Sequence, residues 1–148
     1  MSKSRVTPEE AMHVRDTCIC RSLQQAARVI GRLFDEALRP LEMTNWQYSL
    51  LMNVAGYESP SIGELAESLG TDRTTITANL KPLERRGLIE IHKDESDART
   101  RRVVMTKLGE QTTKSAYEIW VDVNAEAVWK LNGMNVARLR EGLLALAS

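Results

Sequence analysis

Apolar residues recur at Val14, Cys18, Leu23, Ala27, Ile30, Phe34 and Leu38, a stripe at helical spacing that predicts one long amphipathic helix. Its start is written in "TPEE": Thr7 suits the N-cap, Pro8 the first helical position, and Glu10 completes a capping box. Arg39-Pro40 ends it. A helix of about 30 residues runs ~45 Å at 1.5 Å rise per residue. That is longer than a small monomer covers, so part of its apolar face is expected to meet another chain. Two more capping boxes follow. "TNWQ", from Thr44 to Gln47, opens a helix ending near Gly56, and "SIGE", from Ser61 to Glu64, opens a short helix ended by Gly70. Thr71 or Asp72 caps the next helix, which carries Pro82 inside it and runs to Gly87. "LIEIH" alternates as a strand, with "RVVM" as its partner across a long charged loop. Thr106 begins a helix to about Trp129, Asn132-Gly133 breaks it, and "VARLREGLLALA" reads as a final amphipathic helix.

The order is one long helix, three short ones, a β-hairpin and two helices. Only Leu69-Gly70-Thr71-Asp72 separates the third helix from the fourth, the arrangement of a helix-turn-helix whose second helix enters the major groove. A hairpin directly after it makes a wing. The fold class is mostly α (α+β), a winged helix-turn-helix with N- and C-terminal dimerisation helices. Residues 1–148 are expected to form one domain, with 44–106 as the winged lobe and 7–39 and 107–147 as dimerisation helices.

Composition narrows the function. The 148 residues are 43% hydrophobic but only 5% aromatic, so aliphatic side chains must fill the core. No apolar run reaches the roughly 18–20 residues that cross a bilayer. "MSKSRVTPEEAMHVRDTC" lacks the apolar stretch of a secretory signal. A cytoplasmic protein without membrane contact is expected. Net charge is zero, yet its distribution is uneven. Residues 44–70 hold three acids and no Lys or Arg, whereas residues 71–102 hold eight Lys/Arg against six acids. Cys18 and Cys20, one residue apart, do not easily bridge with ordinary disulfide geometry. No His/Cys spacing suggests zinc, and His13 and His92 make no metal site alone. There is no phosphate loop, nucleophile elbow or HExxH, so neither an enzyme nor a cofactor is expected.

On the fourth helix, Ile76, Leu80 and Leu83 mark the core face. Thr71, Arg73, Thr74, Thr75, Thr77, Asn79 and Lys81 are left outside it. Threonine is a mediocre helix former. Short hydroxyls can reach phosphates and base edges, and Arg73 is placed for a guanine edge. The plainer reading is a solvated helix start. The wing loop carries Lys93, Arg99, Arg101 and Arg102 with three acids, Asp97 among them. An acid two residues before an arginine can orient it by an ion pair, and narrow minor grooves attract such arginines. The plainer reading here is a charged loop that keeps a sheet edge from aggregating. Trp46, Trp120 and Trp129 lie on apolar stripes and read as core or dimer contacts.

In combination, "MTNWQYSLL", "IGELAESLGTDRTTITANLKPLERRGLI", Asp97-Ala98-Arg99 and "VMTKLGE" resemble the MarR family of transcriptional regulators over nearly the whole chain. The resemblance implies a homodimer binding double-stranded DNA at a pseudo-palindromic operator, mostly as a repressor released by a small-molecule effector or by oxidation. Ala98 stands where many members carry a second arginine. The family tends to bind aromatic or phenolic effectors, for which Phe34, Met43, Trp46 and Met52 are placed to line a cavity. Some relatives sense organic hydroperoxides through a cysteine near the position of Cys20, held by two tyrosines. The matching positions here are Phe34 and Asn45, and a free cysteine is more commonly a small buried group. A winged-helix protein-interaction module is the remaining alternative. It should have lost the basic wing and the polar helix face, and this chain keeps both.

Overall fold

In the computed structural model the described residues are 5–148; residues 1–4, the start of the stretch read for a secretory signal, lie outside them. The elements are α1 (Pro8–Thr17), α2 (Ile19–Leu38), a 3-10 turn (Arg39–Leu41), α3 (Asn45–Tyr57), α4 (Ile62–Ser68), α5 (Arg73–Arg85), β1 (Ile89–Lys93), β2 (Arg101–Met105), α6 (Lys107–Trp129) and α7 (Val136–Leu146). No helix among the described residues is long and apolar enough to cross a membrane. The chain divides into two compact units, one up to Leu33 and one from Phe34 to Ser148.

In the first unit the predicted capping box is present, with Thr7 and Glu10 each accepting the other's backbone N–H. The single long helix is not. Cys18 leaves helical geometry with ψ 107, and the chain restarts as α2. The Thr17 hydroxyl donates to the His13 carbonyl at 2.7 Å, a back-bond that bends helices. Threonine, cysteine and isoleucine in succession add weak helix propensity at the same point. Met12, Val14, Ile19 and Val29 remain exposed along this unit.

The second unit holds the core. Thr44 and Ser61 form the capping boxes that start α3 and α4. Gly70, at φ 61, ends the turn after α4, where Thr71 N–H donates to the Ala66 carbonyl and Gly70 N–H to that of Glu67. Gly87, at φ 69, repeats the motif after α5, with Leu88 N–H on Leu83 and Gly87 N–H on Glu84. Both are Schellman closures, which need a left-handed residue and so favour glycine. They fix where α5 begins and where the hairpin leaves it. Leu38, Leu50, Leu51, Leu65, Ile76, Leu80, Leu83, Ile89 and Val103 are almost wholly buried in one cluster. Trp46 and Trp120 pack against it, whereas Trp129 is 80% exposed.

The hairpin pairs Ile89 with Met105 through Lys93 with Arg101, antiparallel. On its other edge β2 meets the segment before α4, where Ser61 bridges to Arg102 and Val103 N–H donates to the Pro60 carbonyl. The wing and the start of α4 are therefore neighbours. Helix α6 begins hard against β1. Thr106 caps it, donates its hydroxyl to the Gly87 carbonyl at 2.6 Å, and sends its N–H to the Leu88 carbonyl. A Cβ on Gly109 would collide with that Leu88 carbonyl and stand 2.8 Å from Met105 Cγ.

The collision predicts a sign. Alanine normally stabilises a helix by about 1 kcal/mol over glycine. Gly109→Ala should instead destabilise by about 1–3 kcal/mol, because backbone must move. Gly56→Ala in α3, where a Cβ meets nothing within 4 Å, is the control and should be neutral or stabilising. Urea unfolding of both variants reads the difference, and a stabilised Gly109→Ala would contradict this packing.

Candidate nucleic-acid interface

Helix α5 is oriented by Ile76, Leu80 and Leu83, all fully buried. Its cap is Asp72, not Thr71: the carboxylate accepts the Thr75 N–H at 2.8 Å and the Thr75 hydroxyl at 2.9 Å. The Thr75 backbone N–H, then its hydroxyl, hold the Asp72 carboxyl below the usual carboxylate range. Thr71 is half-buried and closes the turn. The threonines thus have local work. The Thr77 hydroxyl donates to the Arg73 carbonyl and the Asn79 amide to the Thr75 carbonyl, both at 2.8 Å. Each keeps an oxygen able to accept a further hydrogen bond. Arg73, Thr74, Ala78, Lys81 and Arg85 are exposed around them.

Arg73 does not extend freely from the helix start. It lies across α4, where a Cβ on Gly63 would stand 2.9 Å from its Nη2. There Arg73 and Thr77 of α5 share one groove with Arg99, Thr100 and Arg101 of the hairpin. The helix face and the wing, separate in sequence, border the same space.

The wing loop is an ordered turn rather than a bare charged run. Asp94 accepts the Ser96 N–H, the Ser96 hydroxyl and the Asp97 N–H on Oδ1, at 2.7 to 3.0 Å. Its Oδ2 accepts Arg102 Nε at 2.6 Å. The Ser96 hydroxyl, then Arg102, then backbone amides push the Asp94 carboxyl far below its usual range. A depressed carboxyl contributes stability above its unfolded pKa of about 3.9 and loses it as pH falls through the folded value. The Asp94 carboxylate therefore stays ionised, and keeps its hold on the loop, at any pH above its unfolded value.

One sequence expectation is corrected here. Asp97 does not pair with the Arg99 guanidinium. Its Oδ1 accepts the Arg99 backbone N–H at 3.0 Å and its Oδ2 the Thr100 hydroxyl at 3.0 Å. It sets the direction of the chain at Arg99, and the guanidinium has no ion pair among the described residues.

The eight basic residues of 71–102 divide into two groups. Arg86 donates to the Glu42 and Leu41 carbonyls at 2.6 and 2.8 Å, tying α5 to the 3-10 turn. Arg102 is engaged with Asp94, with Glu64 at 2.9 Å and with the Ser59 carbonyl at 3.4 Å. The other six, Arg73, Lys81, Arg85, Lys93, Arg99 and Arg101, are exposed. The inward role of Arg102 is invisible in the sequence, since its carboxylate partners stand 8 and 38 residues away.

The remaining site candidates scatter. Met43 is 3% exposed within the core cluster, Phe34 is buried, and Trp46 is half-buried with Nε1 lacking a partner. Met52 opens onto a groove with Tyr48, Leu69, Tyr117, Trp120 and Arg140. Tyr117 and Trp120 stack at 6.0 Å. Cys20 is exposed rather than a buried small group, with Gln24 Nε2 3.5 Å from its sulfur. His92 is 3.0 Å from Glu90. No cluster of three or more metal-ligating side chains occurs among the described residues.

In sequence and fold the chain is similar to known transcriptional regulators. A family model described as "MarR family" matches residues 41–100, the helix-turn-helix and most of the wing. The chain is 30% identical over 95 residues to the uncharacterized HTH-type transcriptional regulator YybA of Bacillus subtilis (strain 168). That match spans 63% of this chain and 62% of YybA, under two thirds of the relative's length. It is 33% identical to the M. tuberculosis transcriptional regulator MosR, solved in complex with DNA, with a TM-score of 0.79 over 88% of this chain and 93% of that one. A mutant MarR from E. coli, complexed with operator DNA, is 23% identical with a TM-score of 0.81 over 90% and 96% of the two chains, and shares the fold. Sharing the winged helix-turn-helix with these proteins, and a third of its residues with one of them over nearly that protein's full length, the chain belongs to the MarR family of transcriptional regulators.

Proposed function

We propose that the chain is a homodimeric repressor that binds a pseudo-palindromic DNA operator and releases it when a small aromatic or phenolic effector binds. The observation that carries this reading is the shared groove, where the exposed face of α5 meets the arginines of the wing. An exposed helix face suits a major groove, and arginines at its flank suit an adjacent minor groove. The M. tuberculosis relative with DNA bound supports the same use of the fold. Homodimerisation is supported by apolar side chains left uncovered at both ends of the chain, among them Met12, Val14, Ile19, Leu143, Leu144 and Leu146. A two-fold dimer reads two half-sites related by symmetry. The effector reading draws on the Met52 groove, whose stacked Tyr117 and Trp120 and cationic Arg140 suit a planar aromatic anion. Selection of DNA from a random pool tests the DNA binding and its two-fold symmetry. An enriched inverted repeat supports it, and no enrichment with or without reductant favours a protein-interaction module.

Two substitutions separate the halves of the contact. Arg99→Ala should weaken binding to all operator variants and lower the log–log salt slope by about one. Arg73→Ala should relax base choice at one symmetric pair of positions, at a cost of about 1–3 kcal/mol if its contact is bidentate. Titration of an operator panel across salt distinguishes them. A uniform loss across the panel from both would mean that neither reads bases.

Light scattering at micromolar concentration should give a dimer, since obligate interfaces are large and core-like. A stable monomer rules out the two-fold operator.

A thiol trigger is the second reading, favoured by the exposure of Cys20. If it holds, organic hydroperoxide releases wild-type protein from DNA while Cys20→Ser stays bound. A wild type that holds DNA through treatment leaves the small-molecule effector as the trigger.

A further inference from the structure

We propose that Arg102 is the positioning residue of the wing: it makes no DNA contact and instead fixes where Arg99 and Arg101 stand, by joining the wing loop to the start of α4. This rests on the DNA-binding reading above. Arg101 and Arg102 are successive residues of β2, so their side chains leave opposite faces of the strand. Arg101 is exposed, and Arg102 turns towards the segment before α4. Its Nε holds Asp94, its Nη1 holds Glu64, and both carboxylates are organisers of their own segments. Asp94 gathers the Ser96 and Asp97 amides of the loop. Glu64 accepts the Ser61 N–H at 2.7 Å in the capping box that begins α4. The connection thus runs from loop to helix through one planar guanidinium, whose fork meets two carboxylates as an ammonium cannot. Near it Glu58 and Ser59, at φ 47 and 71, turn the chain through two successive left-handed non-glycine residues and bring the Ser59 carbonyl within 3.4 Å of Nη1. Arg99 and Arg101 have no ion pair of their own among the described residues, so the backbone that carries them, loop at Arg99 and the first residue of β2 at Arg101, sets where they stand.

The charge of Arg102 already faces two carboxylates. Losing it should change the position of the wing and not the number of phosphates neutralised. This gives a test by sign. Asp94→Asn removes a negative charge from a loop that faces DNA. Simple electrostatics predicts tighter binding, whereas the positioning role predicts binding weaker by roughly tenfold, because the loop must then be ordered as it binds. Arg102→Met and Arg102→Lys should weaken binding alike, with the wild-type salt slope retained, while Arg99→Ala lowers the slope. Hydrogen exchange on the DNA-free protein should speed at the Ser96, Asp97 and Arg99 amides in Arg102→Met and Asp94→Asn, with the amides of α5 unchanged. An Asp94→Asn variant that binds as well as wild type, or better, overturns the proposal. So does an Arg102→Met variant that lowers the salt slope as Arg99→Ala does. A wild type that selects no DNA overturns the functional reading and with it the role in DNA binding, while the exchange data still decide whether Arg102 holds the loop.

Discussion

Three side chains, Ile76, Leu80 and Leu83, decide what this protein can present to a partner. Spaced by four and three along α5, they are fully buried, at about 1.5–3 kcal/mol of transfer free energy each. Rotating the helix would expose them, so the opposite face is fixed without any contribution from the residues on it. Arg73, Thr74, Ala78 and Lys81 face outwards for that reason. The two left-handed glycines at 70 and 87 bound the same helix, and the second delivers the chain directly into the hairpin.

Charge in the winged lobe is sorted by engagement more than by number. Two of the arginines in 71–102 are structural ties, Arg86 to backbone carbonyls and Arg102 to carboxylates. Three of the six acids, Asp72, Asp94 and Asp97, cap a helix or a turn. What remains exposed is six cations against Glu84, Glu90 and Glu95, with Arg73, Arg99 and Arg101 lining the groove shared by α5 and the wing. A chain with zero net charge can therefore offer a locally basic surface.

Features carried by residues three or four apart were legible in the sequence. The capping boxes at Thr7, Thr44 and Ser61, the turn glycines and the core face of α5 all have this range. The strands were legible too, because alternation is local. The break at Cys18 was not, since a regular apolar stripe continues through it and no glycine or proline marks the point. Sequence spacing offers Asp97 as the ion-pair partner of Arg99, whereas the donors to its carboxylate are a backbone amide and a hydroxyl. By sequence Arg102 is one more wing cation. Its partner Glu64 lies 38 residues earlier, a distance at which sequence pattern gives no signal.

We propose that α5 and the wing form one DNA-facing surface, used twice by a symmetric dimer. Hydroxyl-radical footprinting of a selected operator tests this. Protection is expected in two equal blocks related by a dyad, each with a wing-covered minor groove flanking the major groove that holds α5. A single unsymmetrical block, or protection confined to the major groove, would contradict it.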